Sequence, residues 1–146
     1  MGKKTAGRRL CLDYGKKKIG IAISDPTATI AQPHSVMERE TEELDIEKIH
    51  DLVATYGIKK VIMGLPLELS GEAGQSAMDV FQFIEKLKVA LEGVEIETWD
   101  ERLSTVFAEK EMIRDNVRRK KRKKVIDQLA ATIILQSFLD AESRDG

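Results

Sequence analysis

"RRLCLDYGKKKIGIAISD", residues 8–25, is the stretch that decides how this chain folds. Leu10, Cys11 and Leu12 lead up to Asp13, and Ile19, Ile21 and Ile23 then alternate with small residues as far as Ser24-Asp25. Between the two runs, Tyr14–Lys17 carries a turn signal with Gly15 inside it. Two short apolar runs on either side of a glycine-containing turn read as paired strands. The first strand therefore ends on a carboxylate, with a glycine and three lysines directly behind it. Such a strand end calls for either turn chemistry or a ligand.

Outward from this pair, "PHSVMERE" (33–40) reads as a third, edge strand. Leu44, Ile46, Ile49, Leu52, Val53 and Tyr56 recur at helical spacing until Gly57 stops them. "KKVIMGLP" (59–66) is an apolar strand ended by Gly64 and Pro66, and "LELSGEAG" (67–74) is a loop. Ala77, Val80, Phe81, Ile84, Leu87 and Leu91 mark a second amphipathic helix closed by Gly93, and "VEIETW" (94–99) alternates as a half-buried strand does. "STVFAEKEMIRDN" (104–116) is helical after a Ser/Thr cap. "VRRKKRKK" (117–124) interrupts it, and "VIDQLAATIILQSFLD" (125–140) forms the last helix. The order β-β-β-α-β-α-β-α-α predicts an α/β fold, a mixed sheet with helices on both faces. Ile21, Val61, Ile62, Ile96, Leu129 and Ile133 are expected in its core, and Cys11 out of reach of thiol reagents. Residues 1–146 read as one domain, with 1–7 a flexible tail and 141–146 a C-terminal tail.

Lys+Arg total 24 and Asp+Glu 25 in 146 residues, so net charge points to no partner, and the placement of charge carries the information instead. One cysteine, Cys11, allows neither an internal disulfide nor a cysteine-based zinc site, which fits a reducing cytoplasm. "MGKKTAGRR" has no apolar core of a signal peptide, and the longest apolar run, "LAATIIL", is too short to span a bilayer.

Three acids stand where chemistry would place them. Asp13 ends the first strand. Asp100 and Glu101, in "WDERLST", fall where the last strand gives way to a helix. Asp127 shares a helix face with Ala130, Ala131 and Ile134, where a carboxylate is costly unless paired or bound to a metal. Each has a plain alternative: an Asp-x-Gly turn, an acid favouring a helix N-terminus or pairing with Arg102, and an acid at the edge of a first turn. Together they suggest a convergent cluster for Mg²⁺ or Mn²⁺, hard cations held by a few carboxylates. Two such ions about 3.5–4 Å apart activate water and stabilise the leaving oxygen of a phosphodiester.

Arg118, Arg119, Lys120, Lys121, Arg122, Lys123 and Lys124 form an unbroken basic run just ahead of Asp127. Either it is a solvated segment, or it holds nucleic-acid phosphates without reading sequence. Its nearness to Asp127 favours the second reading. Lys16, Lys17 and Lys18 stand near Asp13 in the same way, and Lys18 and Arg102 join the candidate nucleic-acid contacts. No aromatic residue interleaves the run, which argues against a base-stacking platform.

With these residues in view, the sequence resembles the bacterial YqgF/RuvX family of the RNase H-like superfamily. The matching stretches are "LDYGKKKIGIAISD", "VIMGLP", "WDERLST" and "KKVIDQLAATIILQSFLD", in the family's order across residues 8–140. The resemblance implies a five-stranded RNase H-like sheet of order 3-2-1-4-5 and a divalent-metal nuclease. It assigns the catalytic and metal-binding acids to Asp13, Glu101 and Asp127, with Asp100 the fallback for the middle position. Its members are described as Holliday junction resolvases and as nucleases maturing the 5′ end of pre-16S rRNA, so the implied partner is pre-rRNA or branched DNA. A resolvase would act as a dimer, and an rRNA processor as a monomer or weak homodimer. Lys18 stands where the family often has Arg, and Leu67-Glu68-Leu69 replaces a loop that often contains Asn, which leaves Glu68 as a spare acid. Two other functions compete. The hairpin also looks like the phosphate turn of actin-like ATPases, but those need a second lobe. A non-catalytic RNA-binding module would have no use for three acids.

Overall fold

The structure is a computed structural model, and it describes residues 6–66, 74–102 and 118–145. The expected helix at 104–116 and Glu68 lie outside those residues. So do the side chains of Arg119, Lys120, Arg122, Lys123, Lys124 and Asp127.

Five strands form one sheet: β1 (Arg9–Tyr14), β2 (Lys18–Ser24), β3 (Ala31–Glu38), β4 (Lys60–Leu65) and β5 (Glu95–Asp100), in the order β3-β2-β1-β4-β5. β1–β2 and β2–β3 are antiparallel; β1–β4 and β4–β5 are parallel. The mixed sheet follows from the sequence. A short turn can only reverse the chain, whereas the connections from β3 to β4 and from β4 to β5 contain helices long enough to cross over.

Strand alternation sorts the core into two layers. Leu10, Leu12, Ile19, Ile21, Ile23, Val61 and Met63 face α1 (Glu42–Tyr56) and α2 (Gln75–Ala90). Cys11, Ala22 and Ile62 face the long C-terminal helix α3 (Arg119–Asp145). Cys11 is fully buried, as expected of a central strand. Thr41 caps α1 by accepting a hydrogen bond from the Leu44 N–H, and Gly57 ends the helix in the left-handed conformation. In α2 the sheet-facing aromatic is Phe83; Phe81 lies 39% exposed.

α3 differs most from its expected form. It begins at Arg119, so most of the basic run is helical rather than an interruption. Lys and Arg are good helix formers, and their propensity offsets the mutual repulsion. Non-helical torsions at Leu129 (φ −115°, ψ 16°) kink the helix. Beyond the kink, Ala131, Ile134, Leu135, Phe138 and Leu139 pack on the sheet, while Leu129 is exposed and Ile133 half-buried on the flank. Ile96 is also only half-buried, because β5 is an edge strand. Ile21, Val61 and Ile62 are buried as expected. The helix continues through the segment expected as a C-terminal tail. There Glu142 makes a two-pronged ion pair with the buried Arg9 (3.0 and 3.3 Å).

Candidate functional site

Asp13 and Glu101 come together on the α3 side of the sheet. Asp13 has the same strand parity as Cys11, which directs it to that face. It pairs across β1–β2 with Gly20, where an added Cβ would lie 3.6 Å from the Asp13 Cβ and 3.7 Å from the Ala131 Cβ. Glu101 begins a helical turn directly after β5, and its side chain folds back over Gly64 of β4. A Cβ on Gly64 would sit 2.9 Å from Ile134 Cδ1, closer than real side chains approach, and 3.1 Å from Glu101 Cγ, tighter than most do. Gly64 is thus inside the strand, not its end, and only glycine leaves room for the Glu101 stem. Trp99, two residues before Glu101, anchors this strand end to α3 through Nε1–H to Ser137 Oγ (3.1 Å) and an edge contact with Phe138.

The two carboxyl groups are hydrogen-bonded to each other. Burial, and then the neighbouring Asp13 carboxylate, push the Glu101 carboxyl up to about 7. The Cys11 thiol beneath them is also pushed up, by burial first and then by the two acids. Asp100 takes another course. Its oxygens accept from the Arg102 backbone N–H (3.0 Å) and guanidinium (2.8 Å), and Arg102 holds its carboxyl below the ordinary value. The acid beside Asp13 is therefore Glu101, and Arg102 serves its neighbour.

Of the other anticipated residues, Lys18 is exposed at the rim of the cleft containing Asp13. Arg118 and Lys121 are exposed at the start of α3. Asp127 belongs to the same helix, one turn ahead of Ala131. Among the described residues no three His, Cys, Asp or Glu side chains converge as a metal group.

Sequence reasoning missed the support behind Asp13. Arg39 donates to Asp45 Oδ2 (3.0 Å) and to the Gly15 carbonyl (3.2 Å), and its guanidinium lies over the Tyr14 ring, 4.5 Å from its centre. Asp45 is fully buried and also accepts from the Glu40 N–H (3.1 Å). This network grips the turn that follows Asp13. An acid in the first turn of a helix ordinarily reads as a solvated dipole partner, so only the tight spacing of Arg39, Thr41 and Asp45 hinted at it.

A sheet of this order, with an acidic pair at the end of its central strand, defines an RNase H-like domain. The T. thermophilus RuvC structure in complex with a Holliday junction substrate shares the fold, with a TM-score of 0.58 at 14% identity over 94% of this chain and 96% of that one. Residues 7–141 match the model of the RuvX family, described as Holliday junction resolvase, and the chain belongs to that family. A relative from Desulforamulus reducens is 43% identical over 94% of this chain and 99% of its own length. One from Caldanaerobacter subterraneus subsp. tengcongensis is 46% identical over 92% and 97%. Both carry the name "Putative pre-16S rRNA nuclease".

Proposed function

We propose that this chain is a divalent-metal-dependent nuclease that hydrolyses phosphodiesters in structured RNA and processes the 5′ end of pre-16S rRNA in the cytoplasm, as a monomer or weak homodimer. The observation that carries the reading is the Asp13–Glu101 pair. Two carboxyl groups in contact, one driven toward its protonated form, are donor chemistry that a hard cation relieves, so the residues fit Mg²⁺ or Mn²⁺. Asp13 and Glu101 would hold the ion, with Asp127 as the third acid. A bound ion there supplies Lewis-acid stabilisation of phosphate charge and a more acidic water. Gly64 gives Glu101 its place, the Arg39 network holds the turn behind Asp13, and Lys18 meets a phosphate arriving along the cleft. The basic residues at the start of α3 grip the backbone beyond the site.

The second reading is resolution of branched DNA, favoured by the description of the matched family. A pre-16S leader RNA and a four-way DNA junction, incubated side by side with Mg²⁺ or Mn²⁺, separate the two. Cleavage of the RNA at its 5′ boundary is expected. Asp13→Asn and Glu101→Gln should each abolish it while the variants stay folded. Cleavage of the junction alone would establish the second reading, and unaltered activity in either variant would remove these acids from the site.

A further inference from the structure

Asp13 is flanked by glycines on both sides of its row in the sheet. Gly64 lies where the Leu12–Met63 pairing continues, and Gly20 pairs directly with Asp13. The Gly64 side is filled, by Glu101 and Ile134. The Gly20 side is looser: a Cβ there would meet Asp13 and Ala131 only at ordinary contact distance, and the glycine lines a cleft. It continues to Val36, its partner on β3, which is 55% exposed. Ala131 and Thr132 of α3 wall the space, Lys18 stands at its rim, and its volume is about 320 Å³. A phosphodiester at the acidic pair carries a nucleoside on each side. The glycine floor leaves one of them a way out past Gly20, between β3 and α3.

We propose that this cleft is a subsite for one unpaired nucleotide adjoining the cleaved bond. Its sugar and base lie against Gly20, Val36 and Ala131, and its outer phosphate meets Lys18. The inference rests on the nuclease reading and specifies what that site accepts. The chemistry is complementary: a small apolar surface for the nucleoside and a cation for the phosphate. Space at the lower end of the small-ligand range admits a splayed-out nucleotide but not a base pair. The two rings in its lining, Tyr14 and His34, are engaged with Phe83 and Tyr56, so no stacking platform selects a base and the subsite should tolerate any of them.

Substrates that differ at the one nucleotide beside the cleaved bond, either unpaired, paired or abasic, test this with Mg²⁺ or Mn²⁺ present. The parent should favour the unpaired form over the other two by at least about tenfold in kcat/KM. In Gly20→Ala, whose added Cβ meets its neighbours at ordinary contact distance, that preference should fall several-fold, mainly through KM. Val36→Glu, at an exposed position, should reduce it by repelling the phosphate, and keeps the test open if Gly20→Ala misfolds. Equal cleavage of the three substrates by the parent, or full discrimination in both variants, overturns the subsite while leaving the nuclease reading intact. If the parent cleaves nothing, the nuclease reading fails. Titration with a nucleoside 5′-monophosphate, followed at the amides of Gly20, Val36 and Ala131, then decides the subsite by itself: shifts there support it, and their absence ends it.

Discussion

At Glu101 the folded chain holds a proton that the unfolded chain gives up. The folded value of about 7 exceeds the ordinary 4.5, so the native state binds more protons between those values, and stability falls as pH rises through that window. The slope is at most about 1.4 kcal/mol per pH unit. Denaturant melts in chelator from pH 4 to 8 should show it, and Glu101→Gln should flatten it. An unchanged slope in the variant would place the titration on another group. Gly64 gives a second prediction at this scale. Gly64→Ala forces a methyl group against Ile134 and the Glu101 stem, which should cost about 1–3 kcal/mol by overpacking and displace Glu101 from Asp13. Thermal melts and cleavage assays should then fall together; a variant as stable and active as the parent would show that the strand has room. The sequence alone hides Gly64's role, because a glycine before Leu-Pro reads as punctuation and its neighbour over the sheet is distant in the chain.

Among the elements, the β1–β2 turn is held from outside. A Cβ on Gly15 would come 2.8 Å from the Lys18 carbonyl, so the turn closes tightly, and Arg39 then ties it to α1. Replacing Arg39 with Met leaves Asp45 buried without its cation, which should cost about 3–5 kcal/mol. Changing both residues to apolar ones should recover much of that loss in denaturant melts, because no charge is left stranded. If Arg39→Met alone is nearly neutral, the pair is not the anchor of this turn. The elements themselves were largely legible. The hairpin, the edge strand, α1 and its Gly57 stop all follow from alternation, helical spacing and cap chemistry. Burial on α3 was less so, because the kink at Leu129 changes which residues after it meet the sheet, and Ile133 and Leu129 lose the places that an unbroken repeat assigns them.

Across the whole molecule, near-zero net charge conceals a run of basic residues at the start of α3 and an acidic pair in the sheet. If that start holds phosphates, neutralising Lys120, Lys121, Arg122 and Lys123 together should weaken nucleic-acid binding about equally for all sequences. It should also flatten the log–log salt dependence by roughly one unit per lost contact. A quadruple variant that binds and cuts like the parent across a salt titration would make the run a solvated segment. The mixed sheet and its two helical layers were readable from element order. The strand order and the choice of Glu101 over Asp100 came through the family resemblance, because adjacent acids at a strand end differ only in how the backbone turns.

The placement of α3 bears on how the protein comes into being on the ribosome. Asp13 is made early, but Glu101 follows much later, and the wall formed by Ala131 and Thr132 later still. A nascent chain with only its first three strands exposed has an acid at a strand end and nothing opposite it. Domains fold as units while they are synthesised, so cleavage activity would arise only after α3 has emerged and docked. An enzyme that cuts ribosomal precursors would thereby remain inert toward RNA near the ribosome producing it until translation has passed that helix.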